Sequence, residues 1–273
     1  MAQVAWLPDA TGLVAVARSA EQEARQLWLV PLPGGAPRHV TDDLLEYRTV
    51  SLSADGRALL SVAVDGFSAV WLAPRDGKGP ARRLTSSKVD GLDGLDFLPD
   101  GRIVYASRDT GRLGLWLASP ESGERAPLAG ADPDSREPVV APSGDVFFWT
   151  RTAEGGEIRR LASDGSPSRL VARGVFSDDF AVSPDGRFVV FTALRDGESR
   201  LFRASAEGGP PEPLTAYHAH TPAFSPDGTR LAFYSLDPAT RLYRIAIAPA
   251  GGGPPVQTLE PLGRVPGVFR SRR

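Results

Sequence analysis

The chain has 273 residues, 41% of them hydrophobic and 23% charged, which is enough apolar material for a large core or several small ones and argues against disorder. Its 31 Lys and Arg against 33 Asp and Glu leave a formal net charge of −2, so no overall field favours nucleic acid or an anionic membrane, and polyanion binding would need a local patch. The absence of cysteine excludes disulfides, thiolate zinc sites and a cysteine nucleophile, and no apolar run approaches the roughly 18 residues that would span a bilayer.

In chain order, the first segment, "WLPDATG", leads through a Pro-Asp turn into "GLVAVA", then "LWLVPL", then "RHVT". The N-terminal residues have no basic n-region and are broken by Pro8-Asp9, so they read as the start of this unit and not as an export signal. A cytoplasmic location is therefore preferred, with a periplasmic one expected if the chain is a fragment. The same four runs return as "SLSADG", "ALLSVAV", "VWLAPR" and "RRLT", and again as "FLPDG", "IVYAS", "LWLASP" and "APLA". The fourth set is "VAPSG", "VFFWT", "IRRLAS" and "SRLV", the fifth "VSPDG", "FVVFTA", "LFRASA" and "EPLT", and the sixth "FSPDG", "LAFYS", "LYRIAI" and "VQTL". Each run is rich in β-branched and aromatic residues and too short for a helix.

The turn glycines Gly12, Gly56, Gly101, Gly144, Gly186 and Gly228 are spaced by 44, 45, 43, 42 and 42 residues. Four short strands repeated at about 40 to 45 residues predict an all-β protein, a six-bladed β-propeller with four antiparallel strands per blade. The alternative is six blades of a larger, truncated propeller. The repeats span approximately 3–41, 47–85, 94–130, 137–172, 179–215 and 221–260, forming one domain over 1–260 with a basic tail at 261–273. The third strands put Trp28, Trp71, Trp116, Arg159, Phe202 and Tyr243 in one slot, expected to fill the space between blades. Asp55, Asp100, Asp185 and Asp227 are expected to be structural: proline presets φ, Asp bonds its own backbone and Gly accepts a positive φ.

The string "FAVSPDGRFVVFTALRDGESRLFRASAEGGPPEPLT" and its successor resemble the WD40-like β-propeller repeats of the TolB type, with their SPDG turn, aromatic third strand and closing Leu-Thr. The resemblance covers residues 3 to 260 and is weakest in repeat four, where "APSGD" replaces SPDG and Arg159 replaces the aromatic. Strings such as "LWLVPLPGGAPRHVTDDLLEYRTVSLSADGRALL" look like the C-terminal propellers of bacterial signalling proteins that carry a kinase or winged-helix effector. The resemblance implies a sensor or interaction module without its effector. Propellers of this kind often close with the N-terminal strand in the last blade; here no strand is left over for that clasp, so closure is expected face to face or through further blades.

No G-x-S-x-G nucleophile elbow occurs, and "GGGPPV" lacks the helix and Lys-Ser/Thr pair of a phosphate-binding loop. His218 and His220 alternate on one strand and are the weak candidates for a metal; no cofactor is expected. The residues seven positions before each turn Asp or its equivalent are Arg48, Asp93, Arg136, Asp178 and His220. On a propeller these stand at the start of the innermost strands, at one mouth of the channel. They are candidates for a polar funnel that takes an unknown protein or a small polar ligand, or for charge pairs that fix neighbouring blades. The neighbouring Ser177, Asp178 and Asp179 add acidic density there, and the tail arginines Arg264, Arg270, Arg272 and Arg273 are read as a solvated end. The expectation is a non-enzymatic interaction or ligand-sensing scaffold, monomeric or part of a larger chain, without nucleic-acid binding or membrane insertion. The alternatives are the gating propeller of a prolyl-oligopeptidase-like peptidase and a periplasmic TolB-like factor.

Overall fold

The computed structural model describes residues 4–17, 25–43, 45–47, 50–53, 55–64, 66, 68–75, 79–87, 89–176, 179–237, 239–240 and 242–259. Expectations attached to Gln3, Arg48, Ser177, Asp178 and the tail 261–273 lie outside these residues.

The described residues are all β, with no helix. Five four-stranded antiparallel sheets follow the repeats, each with its strands hydrogen-bonded in sequence order. Repeat one supplies Val4–Trp6, Gly12–Ala17, Gln26–Pro31 and Arg38–His39; repeat three supplies Asp90–Phe97, Ile103–Ser107, Gly114–Ala118 and Arg125–Pro127. Repeat four gives Arg136–Val140, Val146–Thr152, Gly155–Leu161 and Arg169–Val175. Repeat five gives Phe180–Val182, Phe188–Arg195, Glu198–Ser205 and Glu212–Pro213, and repeat six Ala219–Phe224, Arg230–Leu236, Tyr243–Pro249 and Gln257–Leu259. Repeat two differs: it is described as three short pairs, Glu46–Tyr47 with Ala63–Val64, Ser51–Leu52 with Leu59–Leu60, and Trp71–Leu72 with Arg82–Arg83. The chain divides into two compact units, Met1–Leu92 with Arg108–Arg112, and Asp93–Ser107 with Leu113–Arg273.

In the second unit the core lies between successive sheets. Side chains alternate along a strand, so a sheet packed on both faces needs an uninterrupted apolar run. The run "VFFW" of repeat four meets this need: Val146 and Phe148 enter the cluster that holds Val104 and Leu115, whereas Phe147 and Trp149 enter the cluster that holds Phe191 and Phe202. Repeat five divides the same way, with Val189 and Phe191 facing repeat four and Val190 and Leu201 packed with Leu231 and Phe233 of repeat six. In the first unit Val14, Val16, Leu27 and Val50 form a smaller core.

The closing threonines have a definite task. Thr41, Thr85 and Thr215 each accept, through Oγ1, the backbone N–H of Leu27, Val70 or Leu201 at 2.9–3.0 Å, fastening the end of a repeat to its third strand.

The third-strand slot departs from expectation. Phe202 is buried, but Trp28 and Trp116 are only half-buried and Trp71 is 58% exposed. The fully buried position is the preceding residue, occupied by Leu27, Val70, Leu115, Ile158 and Leu201. Tyr243 is not in the slot at all. It pairs with Leu236, and the strand-two register places Ala246 opposite Phe233, where repeat five places Phe202 opposite Phe191. The longer connection between the second and third strands of repeat six moves its aromatic toward the start of the sheet.

Candidate functional site

The turn aspartates are committed to their own turns. Ser53, Ser183 and Ser225 donate their hydroxyls to Asp55, Asp185 and Asp227 at 2.5 Å. The backbone N–H groups of Arg57, Arg102, Arg187 and Thr229 donate to Asp55, Asp100, Asp185 and Asp227 at 3.0–3.1 Å. The Ser225 hydroxyl and the Thr229 N–H and hydroxyl hold the Asp227 carboxyl down at about 2. Between the turns of repeats five and six lies a cleft of about 450 Å³ lined by Arg187, Phe188, Arg203 and Phe224. Its guanidinium groups are paired, Arg187 with Asp185 at 2.9 Å and Arg203 with Glu212 at 3.0 Å.

At the opposite end of the first strands, repeats three, four and six share an irregularity. Gly94, Glu137 and Thr221, the residues that follow Asp93, Arg136 and His220, all have positive φ, at 100°, 47° and 55°. In repeats four and six this is a β-bulge, with the register shifting between Arg136 and Val139 and between His220 and Ala223. Positive φ is uncommon for residues other than glycine, and bulges re-aim side chains at the ends of strands. The glycine in repeat three has a further cause: a Cβ on Gly94 would lie 2.6 Å from Glu137 Cα and 3.0 Å from Pro138 Cδ, so only glycine allows the two strands to approach. Neighbouring first strands are also joined by the Val140 N–H donating to Asp96 Oδ2 at 2.8 Å and the Thr221 hydroxyl donating to Asp179 Oδ2 at 3.1 Å.

The bulges of repeats four and six bring Arg136 and His220 against the end of their own second strands. Arg136 is 6% exposed, pairs with Trp149 and carries its guanidinium 5.0 Å over that indole; Arg151 approaches the same ring at 5.7 Å. Arg136 is therefore packed into the sheet end, not projected into solvent. Asp93 is half-buried, Asp179 and Arg151 are exposed, and Phe176 is 55% exposed.

His220 pairs with Tyr234 and stacks on it at 5.6 Å, with Tyr243 edge-on at 5.0 Å and His218 at 5.7 Å. Sequence spacing found His218 and His220 but missed Tyr234 and Tyr243. Tyr234 stands six residues after Gly228, and counting forward from the turn glycine, as well as back, would have found it. Among the described residues no three His, Cys, Asp or Glu side chains converge as a metal cluster.

Burial, with the adjacent His218 imidazole, pushes His220 down from 6.5 to about 4. The unfolded chain thus takes up this proton first, and stability present above about pH 6.5 is lost as the pH falls from there through about 4. In chelator-treated buffer, urea melts are expected to show stability falling across that window, and a much smaller fall in His220→Asn. Among the groups facing this imidazole are His218, Tyr234, Tyr243 and, through Thr221, Asp179. The turn carboxylates are not involved, because their low values place their own contribution below about pH 4. An equal slope in wild type and variant would contradict the assignment.

No protein-family model matches the chain. TolB from Acinetobacter baumannii superposes with a TM-score of 0.56 at 20% identity, covering 92% of this chain. The fold is that of a TolB-like β-propeller. The chain spans 61% of the length of that TolB. A TolB-type protein of Agrobacterium tumefaciens gives a TM-score of 0.50 at 19% identity, covering 94% of this chain and 80% of its own. A puromycin-hydrolyzing peptidase of Mycobacterium tuberculosis gives 0.53 at 15% identity, covering 94% of this chain and 44% of its own. At these identities the likeness concerns the fold alone.

Proposed function

We propose that the six repeats are the six blades of one TolB-like propeller, and that this propeller is a non-enzymatic module for protein interaction or ligand sensing, of the kind joined to bacterial signalling proteins. The observation that carries the reading is the positive φ after Asp93, Arg136 and His220, part of a β-bulge in repeats four and six: the backbone device recurs while the residue in front of it changes from acid to arginine to imidazole. A scaffold that holds geometry constant and varies chemistry suits recognition of an extended, chemically uneven partner. Asp93, Arg151, Phe176, Asp179 and His220 offer both charges and an exposed ring for such contacts. Reversing the exposed charges in Asp179→Lys/Arg151→Glu is expected to abolish partner capture while leaving the melting temperature within a few degrees of wild type. Unchanged capture with a lowered melting temperature would assign these residues to blade fixation.

The likeness to a peptidase propeller favours a second reading, that of a substrate-gating domain beside a hydrolase, and the likeness to TolB a third, a periplasmic factor. Detecting the native gene product with an antibody distinguishes them. A longer product labelled by a serine-directed fluorophosphonate supports the gate, and a product recovered in the periplasmic fraction supports the third reading.

A further inference from the structure

Among the described residues, unassigned chemistry gathers at the start of repeat six. Ala219 is fully buried in the core between repeats five and six. Its neighbours His218 and His220 therefore turn to the opposite face of the strand, together. Their ring centroids are 5.7 Å apart with planes at 87°. Zn–N bonds of about 2.0–2.1 Å put an imidazole centroid about 3.2 Å from a shared ion, so two rings on one ion stand about 5 to 6 Å apart.

The hydrogen bonds around His220 assign its tautomer. The Thr221 hydroxyl has one proton and donates it to Asp179 Oδ2 at 3.1 Å. Its 2.9 Å contact with His220 Nδ1 must then be a bond in which Nδ1–H donates and Thr221 Oγ1 accepts. The lone pair of the neutral ring is on Nε2. A carboxylate, relayed through a hydroxyl to the far nitrogen of an imidazole, is the arrangement that orients histidine ligands and raises their basicity. Thr221 reaches both partners from a left-handed conformation, φ 55°, inside the bulge. Tyr234 and Tyr243 wall the imidazoles at 5.6 and 5.0 Å from His220 and fix the ring's rotation.

We propose that His218 and His220 form a binding site for a divalent transition-metal ion of the copper, nickel or zinc class, with solvent completing the coordination shell and Asp179–Thr221 as the supporting chain. Imidazole pairs suit these ions, and the order of affinity is copper above nickel and zinc. The site goes beyond the interaction reading and does not depend on it: metal can bind whether or not a partner docks on this end of the blades.

Calorimetric titration of the whole chain with Cu²⁺ and with Zn²⁺, each alone, is expected to show about one equivalent bound. His218→Ala and His220→Ala should each weaken binding at least tenfold, Thr221→Val about tenfold, and His39→Ala not at all. Because substitutions at a half-buried cluster can also unfold the sheet, the second measurement uses the unaltered protein: long-range ¹H–¹⁵N spectra of its three histidines. Zinc is expected to shift His220 Nε2 and His218 while leaving His39 in place, and the metal-free spectrum is expected to show His220 protonated on Nδ1. No saturable binding below about 100 μM, binding kept in His218→Ala/His220→Ala, or zinc shifts confined to His39 would overturn the proposal.

Discussion

Replacing Asp145 with Ala is expected to destabilise the second unit by about 2–3 kcal/mol, the cost of removing a buried carboxylate that holds charge-assisted bonds to a partly buried guanidinium and a backbone N–H. Asp145 is 5% exposed and accepts from Arg160 Nη2 at 2.5 Å and Nε at 2.9 Å. It also accepts the Ser163 N–H at 2.8 Å. Burial alone would raise this carboxyl, but the Ser163 N–H, the Arg160 guanidinium and the Ser143 hydroxyl outweigh it and hold the group below the ordinary carboxylate range. Arg160 continues to Glu207 of repeat five at 2.6 Å, so the pair ties two blades together. Most of that second link is solvated, and Glu207→Ala should cost no more than about 1 kcal/mol. Arg160→Met in the Asp145→Ala background should restore part of the loss, since Arg160 would otherwise keep only the solvated Glu207 as its partner. Chemical denaturation of the four proteins checks this, and equal costs for Asp145→Ala and Glu207→Ala would contradict it.

The second large effect concerns which aromatic side chains hold the blades. Phe191 is fully buried, with its ring 6.3 Å from that of Phe202 and in the cluster shared by repeats four and five. Phe191→Ala is expected to cost about 3–5 kcal/mol. Trp71→Ala removes a larger ring that is 58% exposed and is expected to change stability by about 0.5 kcal/mol or less. Similar losses at the two positions would restore the third-strand slot as the packing layer.

The contrast shows where the sequence could be read. The period was legible because the turns are chemically loud: a Ser-x-Asp-Gly turn bonds a hydroxyl and a carboxylate inside itself, as at Ser183 and Asp185 and at Ser53 and Asp55. The four-strand repeat followed from it. Which aromatics face the core was less legible, since Trp28 and Trp116 share a register with Phe202 yet differ in how far the short fourth strand and the next sheet cover them. Tyr243 was misplaced because spacing counted from sequence similarity ignores a connection two residues longer. Repeat four lost its turn carboxylate on paper, "APSGD" for SPDG; the structure uses the Asp two residues after the serine, Asp145, in a buried ion pair that no turn pattern signals.

The candidate site was half visible. Counting back from the turns found Asp93, Arg136 and His220, and did not find the positive φ that follows each of them, nor the bulge it belongs to in repeats four and six. A bulge is one residue too many in a strand, and its signature, positive φ on Glu137 and Thr221, is carried by residues that betray nothing in a sequence. Trp149 and Tyr234, on which Arg136 and His220 stack, became apparent only from cross-strand register.

The claim that recognition takes place at the bulged ends of the first strands is tested most directly by site-specific photo-crosslinking in the native host. A benzophenone side chain placed at Asp93, Phe176 or Asp179 is expected to give a discrete adduct, and one placed at Asp185 or Asp227, at the turn ends, is expected to give none. Adducts confined to the turn ends would contradict the account.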